Sequence, residues 1–166
     1  MSNRYPSTID RFTQLVTLAI LVLILAVIIS ILATSDFAPL PTLISIAALA
    51  GVIALYFASI KAVVVTDHEL IVERKIGQRV YSLTEIEAVR PITTELLNTL
   101  RLFGNGGLFG YMGWFRNSNL GTYHANANRR DSQILLTFED GKLLVLSANQ
   151  SVELAQEIER RLDAQR

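Results

Sequence analysis

Between Arg11 and Lys61 the chain carries a single charge, Asp36, and that stretch constrains everything else. Each uncharged run is roughly 24 residues, enough for a helix rising about 1.5 Å per residue to cross a hydrocarbon core of about 30 Å. Leu21-Val22-Leu23-Ile24-Leu25-Ala26-Val27-Ile28-Ile29 is apolar on every side, with none of the polar stripe of an amphipathic surface helix. The expectation is a transmembrane hairpin over 12–60, with spans at about 12–34 and 41–60. The second span is rich in small residues (Ser45, Ala47, Ala48, Ala50, Gly51, Ala54, Ala58), which predicts that this face packs on the first helix. Thr17 and Ser45 are expected to bond back to carbonyls of their own helices.

Thr34 to Pro41 is short, holds two prolines and has no Lys or Arg, which suits a tight turn at a membrane surface. Arg4 and Arg11 precede the hairpin, and Lys61, Arg74, Lys75 and Arg79 follow it. By the positive-inside rule both ends face the cytoplasm and the turn faces out. There are two alternatives. A signal peptide would need a shorter apolar core and a better cleavage site than Ile31-Leu32-Ala33. Two core helices of a soluble protein would need a far larger core than 166 residues supply.

Residues 1–11 form a short polar tail, read as disordered or interfacial, and 61–166 form one domain. Net charge is zero, so no general attraction to nucleic acid is expected. There is no Cys, which removes disulfides, thiolate metal sites and Cys nucleophiles.

After the hairpin, short β-branched or alternating segments recur with turn signals between them. Strands are predicted at 62–66, 69–74, 79–82, 88–92, 122–128, 133–138 and 142–146, with the Asp140-Gly141 hairpin joining the last two. Thr93 to Leu100 suits one or two helical turns. Asn149 or Ser151 is expected to cap a final helix whose Val152, Ala155, Ile158 and Leu162 share a face. The fold class is therefore α+β: a two-helix transmembrane hairpin, then seven or eight antiparallel strands in a barrel or sandwich, capped by a C-terminal helix.

The unusual stretch is Arg101-Leu102-Phe103-Gly104 through Phe115-Arg116, where glycine far exceeds its usual share of about 7%. It lacks the Lys-Ser/Thr of a P-loop and the spacing of a dinucleotide fingerprint. Gly104, Gly106, Gly110, Gly113 and Gly121 are read as structural, serving positive-φ turns and a sharply bent, bulged strand.

Strand order plus one C-terminal helix resembles a pleckstrin-homology (PH) domain, and one bacterial PH family in particular. The resemblance rests on Arg101-Leu102-Phe103-Gly104, on Gly106, Gly110, Gly113 and Phe115, on Gly121, on the strand ending at Asn128, and on Val152-Glu153-Leu154. It spans roughly Ala62 to Leu162. It implies a PH-like fold, a bacterial source, the cell (inner) membrane and a non-enzymatic role. The family's ligand is not carried over, and the arginine pattern with which eukaryotic PH domains hold inositol phosphates is not matched.

Between Glu95 and Asp131 there is no acidic residue, while Arg101, Arg116, Arg129 and Arg130 are basic. They are either an anion-facing patch against phospholipid headgroups or an ordinary solvated charge set. Phe109 and Trp114, with Phe103, Tyr111 and Phe115 nearby, are candidate interfacial aromatics; alternation places Met112 and Trp114 on one face of their strand and Tyr111, Gly113 and Phe115 on the other. His68, His124 and Asp131 form no metal or triad spacing, and no cofactor is expected. The functional expectation is a membrane-anchored binding or scaffolding module, for a protein partner or its own copies first. Anionic headgroup binding through the 101–130 region is the alternative, and an interfacial enzyme the least favoured reading.

Overall fold

The computed structural model describes residues 2–34, 39–92 and 99–165. The helical turns expected at 93–100 lie largely outside the described residues, as does Asp36 in the turn between the spans.

The two apolar runs are helices, α1 (Arg11–Thr34) and α2 (Pro39–Ala58), both long and apolar enough to cross a membrane. They are not core helices: Leu15, Leu18, Leu40 and Leu43 are each at least 60% exposed to their surroundings, as side chains that face lipid must be. Their mutual packing differs from the expected one. Ala47, Ala48, Ala50, Gly51 and Ala54 are exposed, and a Cβ on Gly51 would meet nothing within 4 Å. Instead α2 buries Val52 and half-buries Thr42, Ser45 and Leu55. Ser45 does donate to its own helix, at Pro41 O (2.9 Å). Thr17 does not; its partners lie in the soluble domain.

Sheet I has the order β1–β2–β3–β4, with β1 Asn3–Pro6, β2 Ile60–Val65, β3 Glu69–Arg74 and β4 Gln78–Ser82. The reading of residues 1–11 as a disordered or interfacial tail is corrected here. Asn3 to Pro6 pairs antiparallel with β2, from Asn3 opposite Val65 to Pro6 opposite Ala62. Arg4 donates to Glu73 Oε2 at 2.8 and 3.1 Å across the sheet. Pro6 is tolerable because β1 is an edge strand, where a missing N–H breaks no inner ladder. The soluble domain is thus closed by chain from before the membrane hairpin as well as after it.

Sheet II has the order β5–β9–β10–β8–β7–β6. Its strands are β5 Ile86–Ile92, β6 Leu100–Gly106, β7 Tyr111–Asn117, β8 Gly121–Ala127, β9 Gln133–Phe138 and β10 Leu143–Ser147. Of the barrel or sandwich expected, the architecture is the sandwich, two sheets and not a closed barrel. One expectation changes: the sheets are not wholly antiparallel, because β10 lies parallel to β8 with Val145 opposite Ala125. The β9–β10 hairpin inserts between β5 and β8, which forces that one parallel pairing.

The main core lies between the sheets and under α3 (Ser151–Asp163). Ile134, Leu136 and Phe138 of β9 point into it, beside Val63, Val65 and Leu70 of sheet I. The exposed and buried sides of α3 are shifted by a residue type: Val152 is half exposed, and Leu154 joins Ala155, Ile158 and Leu162 in the core. Neither expected cap forms. Gln150 occupies the N-cap without a side-chain bond, because Asn149 Oδ1 already accepts from Thr8 N, Thr8 Oγ1 and Arg129.

β9 and β10 are buried on both faces, so their run of apolar residues does not alternate with polar ones. The second face of sheet II carries a smaller cluster, Phe115, Tyr123, Ala125, Leu135, Val145 and Ile92. That face is roofed by the segment leading into α1.

Candidate functional site

Between the second face of sheet II and the start of α1 lies a cavity of about 1210 Å³. Its floor is apolar and aromatic: Phe115, Tyr123, Ala125 and Val145, with Tyr111 at one side. One wall is the chain entering the membrane, Thr8 to Phe12 and Gln14. The rim is basic, formed by Arg11, Arg101, Arg129 and Arg130, with Asp10 and Asp131 the acidic residues among the described lining.

Each arginine is placed for a distinct reason. Arg101 sits opposite Phe115 in the β6–β7 ladder, so both project from the same sheet face, and a bulge between Arg101 and Phe103 bends the strand beyond it. Its guanidinium folds back over Gly106: a Cβ there would lie 3.5 Å from Arg101 Cδ and 3.6 Å from Nη1. Gly106 has an ordinary φ, and its missing side chain leaves space in the cavity, which differs from the backbone role expected of it.

Arg129 is locked. It forms a two-pronged pair with Asp131, Nε to Oδ1 at 2.6 Å and Nη2 to Oδ2 at 2.8 Å, and its Nη1 donates to Asn149 at 2.9 Å. That hydrogen-bonded pairing holds the Asp131 carboxyl below its ordinary value and the guanidinium of Arg129 above its own.

Arg130 is held by its backbone. Its N–H donates to Asp10 Oδ2 (2.7 Å), while Asp10 Oδ1 accepts Thr13 N–H (2.7 Å) and so caps α1. The Arg130 guanidinium stands over the rings of Phe12 and Tyr111, at 5.1 and 5.9 Å. Among the described residues, the guanidiniums of Arg11, Arg101 and Arg130 have no hydrogen-bond or ion-pair partner.

Sequence reasoning named Arg101, Arg116, Arg129 and Arg130 together. The structure gathers three of them and leaves out Arg116, which sits two residues beyond Trp114 and shares its outward face. Arg11 and Asp10 were missed as site residues, since they lie about 90 positions from Arg101 and come near it only through the fold.

The glycine–aromatic stretch has a second role. β6 and β7 form a hairpin, and its tip, Gly107 to Gly110, docks on the membrane helices. Thr17 Oγ1 accepts Phe109 N–H at 3.0 Å and donates to Gly107 O at 3.3 Å. A Cβ on Gly107 would lie 2.9 Å from Val16 Cγ1. The Phe109 ring meets Tyr56 of α2 edge-on at 5.3 Å, and Phe109 takes φ of 60° to do so. Phe109 therefore rests on the helices of its own hairpin. Trp114 is 45% exposed and lies edge-on to His124 at 5.3 Å. Of the two faces of β7, that of Tyr111 and Phe115 faces the cavity and core, while Trp114 points outward.

Within the hairpin, Gly104 and Gly113 stand directly opposite each other with φ of 112° and 131°. A Cβ on either would come within 2.2 Å of a carbonyl oxygen of the facing strand. Gly110 and Gly121 also have positive φ, of 142° and 74°.

A two-span anchor, a two-sheet sandwich and a C-terminal helix packed on its core define a membrane-tethered PH-like module. The sequence profile described as Bacterial PH domain matches residues 61–162, more than half of the chain, and the protein belongs to that family. Neither a search of curated proteins nor one of solved structures finds a match.

Proposed function

We propose that this protein is a non-catalytic binding module of the bacterial inner membrane, with both termini cytoplasmic, that recognises anionic phospholipid headgroups. The observation that carries this reading is the arginine-rimmed cavity at the foot of α1. A headgroup entering there meets guanidiniums whose charge is not already matched, in a space partly shielded from water, where charge-assisted bonds to phosphate are strong. The anchor already holds the domain at the bilayer, so the cavity would select among lipids; recruitment is supplied by the spans. The lack of arginine and lysine in the turn between the spans, against Arg4, Arg11 and Lys61 on the other side, supports the orientation. The non-catalytic role rests on the family, whose fold generally serves binding.

The test uses the full chain, because β1 belongs to sheet I and a fragment starting at residue 62 would lack it. In nanodiscs, phosphatidylglycerol should raise the unfolding temperature relative to phosphatidylcholine, and Arg101→Glu/Arg130→Glu should remove the difference. Equal stability in both lipids would overturn the reading.

A protein partner or a second copy is the other reading, favoured by β6. That strand is the edge of sheet II among the described residues, and it exposes Leu100, Leu102 and Phe103, the last by 77%. An unpaired apolar edge is a template for an added strand. Photocrosslinking from position 103 in native membranes should capture one defined protein or a homodimer if this reading holds.

A further inference from the structure

Building on the headgroup reading above, we propose that the cavity takes a lipid with two phosphate groups whose hydrocarbon leaves along Leu15 and Leu18 of α1. Three observations carry it.

The first is charge. Asp131 is matched by Arg129, and Asp10 is committed to two backbone N–H groups, those of Thr13 and Arg130. Three guanidiniums remain without an acidic partner among the described residues, from three different elements: Arg11 on α1, Arg101 on β6 and Arg130 after β8. Four guanidiniums against two carboxylates leave the described lining an excess of two positive charges, of which one phosphate diester would match only one. Two phosphates bring at least two charges and enough acceptor oxygens to reach more than one wall.

The second is size. At about 1210 Å³ the space exceeds the roughly 300–1,000 Å³ of ordinary small-ligand sites. A single glycerol-phosphate headgroup would occupy a small part of it. The aromatic floor of Tyr111, Phe115 and Tyr123 suits the carbon backbone of a larger headgroup.

The third is the exit. A smaller groove of about 360 Å³ adjoins the cavity, sharing Arg11 and Gln14 with it and continuing over Leu15 and Leu18. These four residues form one stripe of α1 at helical spacing. Leu15 and Leu18 are 67% and 60% exposed, on a helix that enters the membrane at this end. A headgroup in the cavity therefore has a path for its chain past Arg11 and Gln14 onto Leu15 and Leu18 and into the bilayer, which a soluble anion would not use.

The shared chemistry, two phosphates on a hydrophobic tail, occurs both in two-phosphodiester lipids and in prenyl diphosphates. The full chain in phosphatidylcholine nanodiscs is titrated with cardiolipin, farnesyl diphosphate, phosphatidylglycerol at matched charge, and inorganic diphosphate, with binding read by native mass spectrometry. At least one two-phosphate lipid is expected to bind tenfold or more tightly than phosphatidylglycerol and inorganic diphosphate. Arg101→Gln should weaken that lipid tenfold or more. So should Gly106→Leu, which fills space beside Arg101 at a position with an ordinary φ. Arg116→Gln, on the other face, should not. Phosphatidylglycerol binding as tightly as the two-phosphate lipids would overturn this inference while leaving the headgroup reading intact. Inorganic diphosphate binding as tightly would overturn the hydrocarbon exit. Binding of no anionic lipid would overturn both readings.

Discussion

The hydroxyl oxygen of Thr17, two turns into α1, accepts the backbone N–H of Phe109 at 3.0 Å, joining a membrane helix to the tip of a strand hairpin 92 residues later. Both partners are in a largely water-free contact, where an unmade hydrogen bond costs about 1–3 kcal/mol. Thr17→Val keeps the shape and removes the oxygen, leaving Phe109 N–H and Gly107 C=O unpaired. In nanodiscs the variant should exchange the Phe109 amide proton roughly tenfold or more faster than the parent, as read by mass spectrometry. Unchanged exchange at 107–110 would mean that the tip is held by ring packing on Tyr56 alone.

Gly104 and Gly113 face each other across the β6–β7 hairpin. Gly113→Ala would put a Cβ 2.2 Å from Phe103 O and 2.9 Å from Gly104 Cα, against backbone that cannot swing aside. Strain of about 1–3 kcal/mol for an L-residue at that φ adds to the clash, so a loss of about 3 kcal/mol or more is expected. Gly121→Ala, with φ of 74° but nothing within 4 Å, should cost only about 1–2 kcal/mol. Denaturant unfolding of the two purified variants checks the ordering, and similar losses at both positions would show that φ, not the close approach, sets the cost.

Asn128 ties three segments together at the membrane-proximal end of the sandwich. Its Oδ1 accepts Ile60 N–H at 3.2 Å, and its Nδ2 donates to Ile60 O and, at 3.4 Å, to Ser7 O. Ile60 is where the chain turns from α2 into β2, and Ser7 is where β1 ends on its way to α1. Asn128→Leu should therefore loosen β1 as well as the junction, with a loss of about 2 kcal/mol or more from buried groups left unpaired. Limited proteolysis should cut the variant within residues 2–8 while the parent resists.

How far this was legible from sequence follows the range of the interactions. The spans, the strand at 133–138 and the Asp140-Gly141 turn are local signals, and each stands where local chemistry places it; Gly141 takes φ of 78°. β1 was illegible because Asn3-Arg4-Tyr5-Pro6 has no apolar alternation and its partner strand begins beyond the whole hairpin. The cavity is longer in range still: Asp10 meets the backbone of Arg130 across 120 residues. Arg101 and Arg116 look equivalent as isolated cations. Only the register, Arg101 opposite Phe115 and Arg116 opposite Leu100, puts them on opposite faces. The small residues of α2 misled because composition reports what can pack closely, not which neighbour is there.

His124 gives the domain a pH dependence of definite sign. Burial lowers its pKa from the usual 6.5, and the nearby charges of Arg79 and Arg74 lower it further. The unfolded chain thus binds the proton more readily than the folded one, so stability is full above about 6.5 and is lost as pH falls from there through the folded-state value. The unfolding temperature should drop between pH 7.5 and 5.5, and His124→Gln should flatten that part of the curve. A slope unchanged by the substitution would assign it to other groups.

Phe109 and Trp114 are separated along β7 and its turn, and that separation predicts different depths at the bilayer. Phe109 touches Tyr56, two residues before the end of α2. Trp114 lies three residues past Tyr111 on a strand leading away from the docked tip, about 10 Å at about 3.3 Å per residue. It is the chain's only tryptophan, so its emission reads one position. In vesicles containing lipids brominated near the headgroup, Trp114 should be quenched weakly. Phe109→Trp/Trp114→Phe should be quenched at least twofold more strongly, because an indole at 109 sits against the helices where they enter the membrane. Strong quenching of Trp114 in the parent chain would tip the outer face of β7 onto the bilayer, and Arg116, beside it, would then be a headgroup contact in its own right.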